Sequence, residues 1–218
     1  MPSTLIHVGL AGLLGVALLG DRFSARAILV VLAAAAVIDL DTIVGMYWQG
    51  THRAAFHNLF VVAVPALVLV WDGSLRERSA VRERWGSTGV RVGWVALVCV
   101  LFAHLLLDAF FNGINLFWPL QDQFYDLSGE LYYSNQDGLV QTFVEFTTEE
   151  GTSQLSESTA TGTTSDTHYY TGFDPGPGAQ PDTERIYHLA SSGELLITGL
   201  VGYLAVGYRI LDERATAN

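Results

Sequence analysis

No lysine occurs in this chain of 218 residues, so all 11 basic side chains are arginines, against 22 aspartates and glutamates. Charge of either sign is scarce: 15% of residues are charged and 50% are apolar, too few and too many for an ordinary water-soluble domain. Cysteine is nearly absent. Cys99 alone excludes an intrachain disulfide and a thiolate zinc site, so a metal ion would have to be held by histidine and carboxylate. The chain also lacks a glycine-rich phosphate loop, a His-Glu-x-x-His zinc-protease motif and an internal repeat.

The lysine-free, acidic composition resembles that of proteins from salt-loving archaea. The acid is concentrated in one place. Residues 112–192 hold 12 Asp and Glu against the single Arg185, a net charge of −11, while acids and arginines balance in the rest. With no basic patch to meet a phosphate backbone, no nucleic-acid partner is expected.

What the chain has in abundance is apolar runs, at about 4–20, 27–46, 56–71, 91–111 and 193–211. About 20 apolar residues in a helix cross a hydrocarbon core of about 30 Å. The first run has no basic residues before it, with Arg22 and Arg26 following it instead, so it reads as a retained helix rather than a secretion signal. The expectation is an all-α integral membrane protein of the cell membrane. Its five-helix transmembrane bundle carries an extracytoplasmic acidic insertion between helices 4 and 5. The expected boundaries are 1–111 for helices 1 to 4 with the polar site, 112–192 for the insertion, and 193–218 for helix 5 and a cytoplasmic tail. Short arginine-rich loops stay in the cytoplasm. Arg22 and Arg26, the 76–91 group, and Arg209 with Arg214 then lie inside, which puts the 47–55 loop and the 112–192 segment outside.

That topology sorts the unusual polar residues to one face. His7 opens the first span, Asp39 and Asp41 end the second, His52 and His57 flank the entry to the third, and His104 and Asp108 close the fourth. Ionisable groups at membrane depth are costly and point to function. The four-residue spacing of His104 and Asp108 stacks them on one helical face, where they can share a metal or a hydrogen bond. Asp39 and Asp41 diverge by about 200° in a regular helix, so both serve one site only if the helix is distorted. All seven are candidate metal ligands; a hydrogen-bonded polar core is the alternative reading.

In the insertion, Asn112 to Leu120 is aromatic and broken by glycine and proline, as suits a membrane interface. Asp137-Gly138 between two strand-like runs predicts a small β-hairpin. Residues 147–183 are too poor in apolar side chains for a core and read as a solvated loop, with His168 at its surface.

An early His7, the Asp39-x-Asp41 pair, His52-Arg53-x-x-x-His57, and His104-x-x-x-Asp108 followed by Gly113 and Trp118-Pro119-Leu120 together resemble the YdjM-like family of inner-membrane proteins, over about residues 1–125. Members typically show His-Arg-Gly-x-Thr-His-Ser where this chain has His52-Arg-Ala-Ala-Phe-His57-Asn58. The resemblance implies a metal-dependent hydrolase and, in one branch of the family, LexA binding. The expected activity is hydrolysis of a membrane lipid or other amphiphilic ester, a phosphoester first, near the outer face. One or two divalent ions, zinc or manganese, would be held by His7, Asp39, Asp41, His52, His57, His104 and Asp108. Asp39 would serve as proton acceptor and Arg53 would stabilise developing negative charge. The alternative is a non-catalytic membrane scaffold with a structural metal or a polar bundle core; a transporter is disfavoured by five spans without an inverted repeat.

Overall fold

The computed structural model describes residues 2–149, 152–156, 159–176 and 178–216 and is mostly helical, with a small region of strands. The helices are α1 (Thr4–Leu19), α2 (Ala25–Val37), α3 (Asp41–Gly45), α4 (Phe60–Val70), α5 (Ala80–Cys99), α6 (Leu106–Ala109) and α7 (Gly193–Thr216). A 3₁₀ turn, Ile38–Leu40, joins α2 to α3, and a π-helical stretch, Val100–Leu105, joins α5 to α6. Four continuous helical segments are long and apolar enough to cross a membrane: Thr4–Arg22, Ala25–Gly45, Ala80–Ala109 and Gly193–Thr216.

The apolar run expected as a third span is a shorter helix, Phe60–Leu75. Its start is delayed because residues 51–59 form successive turns. There Asn58 Nδ2 donates to the carbonyls of Ala54 at 2.8 Å and Ala55 at 3.0 Å, competing with helical pairing. The fourth span starts earlier than its apolar run. Ser79 caps α5 by accepting a hydrogen bond from Arg82 N, so the arginine-bearing residues 82–84 are helical, and Gly86 kinks the segment at φ 68°.

The chain forms two compact units. One comprises Pro2–Asp39, Leu59–His104 and His188–Asn218 and is helical. Its core joins Ala11, Leu19, Ile28, Val31, Ala35, Val95, Cys99 and Ala103, of which Ala11, Ala35, Cys99 and Ala103 are small enough to let backbones approach closely. Around that core Leu29, Leu67, Ile197, Leu204 and Leu211 are exposed. An apolar surface of this kind suits lipid rather than water. The closest approach is between α1 and α7: a Cβ at Gly9 would lie 2.7 Å from Gly199 Cα, and one at Gly202 would overlap the Gly9 carbonyl. Tyr203 Oη also donates to the Leu5 carbonyl at 2.7 Å.

The other unit comprises Leu40–Asn58 and Leu105–Tyr187. Its strands form three antiparallel pairs: β1 (Phe124–Tyr125) with β6 (Ala160–Gly162), β2 (Leu131–Ser134) with β3 (Gly138–Gln141), and β4 (Phe146–Glu149) with β5 (Thr152–Leu155). The β2–β3 hairpin turns at Asp137-Gly138, where Gly138 takes φ 75°. Stretches of 147–183, expected to be a solvated loop, are instead paired. Residues 160–162 add to β1, Thr159 O accepts from Asp126 N at 2.9 Å, and Phe124, Ile114 and Thr159 are buried. The segment gains its order by pairing with 114–126, a partner its own composition does not reveal.

Gly202→Leu should drive α1 and α7 apart and cost about 1–3 kcal/mol, as overpacking does. Thermal unfolding in detergent should show the midpoint falling by several degrees. Gly207→Leu, where a Cβ meets nothing within 4 Å, should leave it unchanged.

Candidate functional site

Two groups of the sequence-predicted residues come together, one in each unit. In the helical unit, α1 supplies His7, the 3₁₀ turn Asp39, and the π-helical stretch His104. His7 and His104 are fully buried and their rings stack 3.8 Å apart at 13°. His7 Nδ1 lies 2.8 Å from the Ala103 carbonyl and His104 Nδ1 lies 2.8 Å from the Ala35 carbonyl. A carbonyl only accepts, so each Nδ1 carries a proton and Nε2 is the ring nitrogen left to meet a metal ion or a carboxylate.

The accepting carbonyls are supplied by irregular backbone. Ala35 sits in the last turn of α2, where carbonyls lose their regular partners, and Ala103 sits in the π-helical stretch. His104 Nε2 is 3.3 Å from Asp39 Oδ1. That exceeds the roughly 2.7–2.9 Å of a charge-assisted hydrogen bond. It is roughly the separation of two atoms bound at about 2.0–2.1 Å to one tetrahedral ion. His7, Asp39 and His104 offer ligand atoms within 4.8 Å of one another and form a group that could hold a metal ion. Asp108 follows His104 by one turn along the same continuous helix, Ala80–Ala109.

In the other unit, Asp41, His52, Arg53, His57 and Asp108 assemble around a chain of buried ion pairs. Asp41 Oδ2 accepts from Arg53 N at 3.0 Å, Phe56 N at 3.4 Å and His57 Nδ1 at 2.7 Å. His57 Nε2 is 3.0 Å from Asp108 Oδ2, and Arg53 Nη2 donates to Asp108 Oδ1 at 2.7 Å. Burial works against a charged His57 ring, but the Asp41 charge and the hydrogen bonds to Asp108 and Asp41 outweigh it, and its pKa is pushed up to about 10. His57 is therefore an imidazolium between two carboxylates. His52 shows the opposite shift: burial lowers its pKa, with the Asp41 charge only partly offsetting it. Its Nδ1 donates to the Tyr169 carbonyl at 2.8 Å, and its Nε2 is 3.1 Å from Thr42 Oγ1 and 4.0 Å from Asp41 Oδ1.

The two aspartates of the Asp39-x-Asp41 pair thus serve different partners, because the 3₁₀ turn and the restart of the helix at Asp41 stand between them. Arg53 is fully buried and adopts φ 64°, a conformation that costs a non-glycine residue of order 1 kcal/mol. It is held there from every side. Its amide donates to Asp41, its carbonyl accepts from Asn115 N at 2.9 Å, Nη1 donates to the Gly113 carbonyl at 2.9 Å, and the guanidinium lies 4.9 Å over the Tyr169 ring.

Tyr169 was not legible as a site residue. It lies in a polar, acidic stretch, yet its carbonyl orients His52, its ring covers Arg53 and its hydroxyl donates to the Asn112 carbonyl at 2.7 Å. The neighbouring His168 and Tyr170 were its only sequence signal. Asn115 was missed as well; it is buried, and its side chain donates to Asp122 at 2.7 Å.

Removing one partner of a buried ion pair leaves an uncompensated charge. Arg53→Ala should destabilise the protein by about 3–5 kcal/mol. Arg76→Ala removes an exposed arginine from a buried Asp72 that still accepts hydrogen bonds from Ser79, Ala80 and Val81, and should cost less, about 1 kcal/mol. Denaturant unfolding in one detergent compares the two directly, and equal losses would remove Arg53 from the centre of this network.

No curated protein and no solved structure matches the chain. The family model for the YdjM inner membrane protein matches residues 1–163 and so takes in every residue of both groups except Tyr169. This chain belongs to the YdjM family of inner membrane proteins.

Proposed function

We propose that this chain is a membrane-embedded, metal-dependent hydrolase of an amphiphilic ester, a phosphoester first, acting at the extracytoplasmic face. The supporting observation is that His7, His52 and His104 each spend Nδ1 on a backbone carbonyl, as metal-ligating histidines do, and so present Nε2 as a donor atom. Ligands limited to nitrogen and oxygen suit zinc or manganese. His7, Asp39 and His104 would hold the first ion, with Asp108 as the next carboxylate on the helix. Asp41 and His52 are the candidates for a second. A divalent ion supplies Lewis acidity and a more acidic water.

Asp39 is also the carboxylate that would accept a proton from the attacking water. His57, held between Asp41 and Asp108, keeps both carboxylates in place and carries a proton at Nε2. Arg53 fixes Asp108 through Nη2 and sets the positive charge that favours a developing anion nearby. The arginine distribution supports a topology in which Phe60–Leu75 is counted as a fifth span, residues 112–192 lie outside and the 72–91 stretch lies inside. The site residues then belong to 1–111, followed by the acidic segment 112–192 and by 193–218 with the last helix.

Two measurements test this reading. Protein purified without chelator should contain zinc or manganese, and His7→Ala and His104→Ala should lose it while keeping the wild-type helix content. Metal-dependent turnover across a panel of phosphoesters and carboxylic esters should then disappear with either variant. Protein that retains its metal but turns over nothing in the panel is a scaffold with a structural ion.

Sidedness is tested separately. In a Cys99→Ala background, Ser165→Cys should react with an impermeant thiol reagent in intact cells and Glu77→Cys should not. Both positions are exposed, and the reverse pattern inverts the topology.

A further inference from the structure

A cavity of about 230 Å³ lies within the unit formed by Leu40–Asn58 and Leu105–Tyr187, between the end of α3 with its following turn and residues 168–176. Gln49, His52, His168, Tyr169, Tyr170 and Asp174 line it, and no arginine does. Gly45 forms part of the floor, since a Cβ there would lie 3.1 Å from His52 Cβ and 3.6 Å from Asp174 Oδ2.

One charged group of the lining is uncommitted. Asp174 accepts from Gly176 N through Oδ1 at 3.3 Å, while its Oδ2 makes no hydrogen bond among the described residues. The turn that presents it is braced, with Thr171 N donating to the Asp174 carbonyl at 2.8 Å and Asp174 N donating to Thr171 Oγ1 at 3.1 Å. The rings of His168 and Tyr170 stand 6.2 Å apart as an aromatic wall. One face of Tyr169 is already taken by Arg53.

We infer that this cavity binds a small organic ammonium group of the ethanolamine type. A primary ammonium has three N–H donors and no acceptor. Asp174 Oδ2 is an acceptor for one of them and the Gln49 side-chain oxygen is available for a second, while the third stays with water. The Tyr170 ring favours a cation over its face. An anion is disfavoured, because the lining carries a carboxylate and no cation, and residues 112–192 have a net charge of −11. A bare metal ion also fits poorly: among the described residues His52, His168 and Asp174 are not a group close enough to share one. The binding is independent of hydrolysis, and so is its test.

Saturation-transfer NMR of ethanolamine with the full chain in a maltoside detergent should give a saturable signal. Asp174→Asn keeps Oδ1 and the braced turn but removes the charge. It should weaken binding about tenfold, the loss expected for one charge-assisted hydrogen bond. Tyr170→Leu should weaken it as well, and inorganic phosphate should not compete. Nanodiscs containing phosphatidylethanolamine that displace free ethanolamine, where phosphatidylglycerol nanodiscs do not, would make a lipid headgroup the source of the ammonium. Failure of both to displace it would make a free amine the ligand. Absence of a saturable signal, or equal affinity in Asp174→Asn, overturns the assignment.

Discussion

One oxygen atom, Asp41 Oδ2, accepts hydrogen bonds from two backbone amides and an imidazole, and the path of the chain from α3 to α4 depends on it. A carboxylate with no exposure is tolerable only if its charge is met. Here it is met by His57, which meets Asp108, which meets Arg53. Two anions alternate with two cations, so the buried chain is neutral overall. Removing any member leaves its neighbour charged and dry. This is why Arg53 remains at positive φ: Asp41 holds its amide, Asn115 its carbonyl and Asp108 its guanidinium, and together these outweigh a backbone strain of order 1 kcal/mol.

Histidines follow a different logic from the aspartates. His7, His52 and His104 all turn Nδ1 to a main-chain carbonyl, whereas His57 turns both nitrogens to carboxylates. The first arrangement leaves Nε2 for a partner other than the main chain; the second commits both nitrogens to carboxylates. Four histidines that look alike in a motif therefore divide into three anchored by the main chain and one held between two acids. The division is made by helix irregularity as much as by side chains, since the Ala35 and Ala103 carbonyls are available where α geometry gives way.

Much of this was legible from residues alone, and for identifiable reasons. Long apolar runs have one solution in lipid, so the helices could be read from length and composition. The polar residues stood out against that background, and the 200° divergence of Asp39 and Asp41 already signalled a distorted helix or two destinations. What was not legible depends on partners far away in sequence. The late start of α4 follows from Asn58 bonding back to Ala54 and Ala55, and the order of 159–162 follows from pairing with 124–126. Neither pairing leaves a periodic pattern, because a short edge of strand needs few apolar residues.

Tyr169 carries the point furthest. It lies beyond residue 163, where the family match ends, yet it supplies the carbonyl that sets the His52 tautomer and the ring that covers Arg53. A phenol ring over a guanidinium excludes water from the buried charge while leaving its in-plane N–H groups free for Asp108 and the Gly113 carbonyl. The family match thus takes in the acids and bases, while a segment outside it fixes how two of those groups are oriented and shielded. The acidic segment is therefore part of the construction of the His52–Arg53 group rather than an appendage to it, and a chain cut at the end of the family match would keep both residues but lose the contacts that hold them.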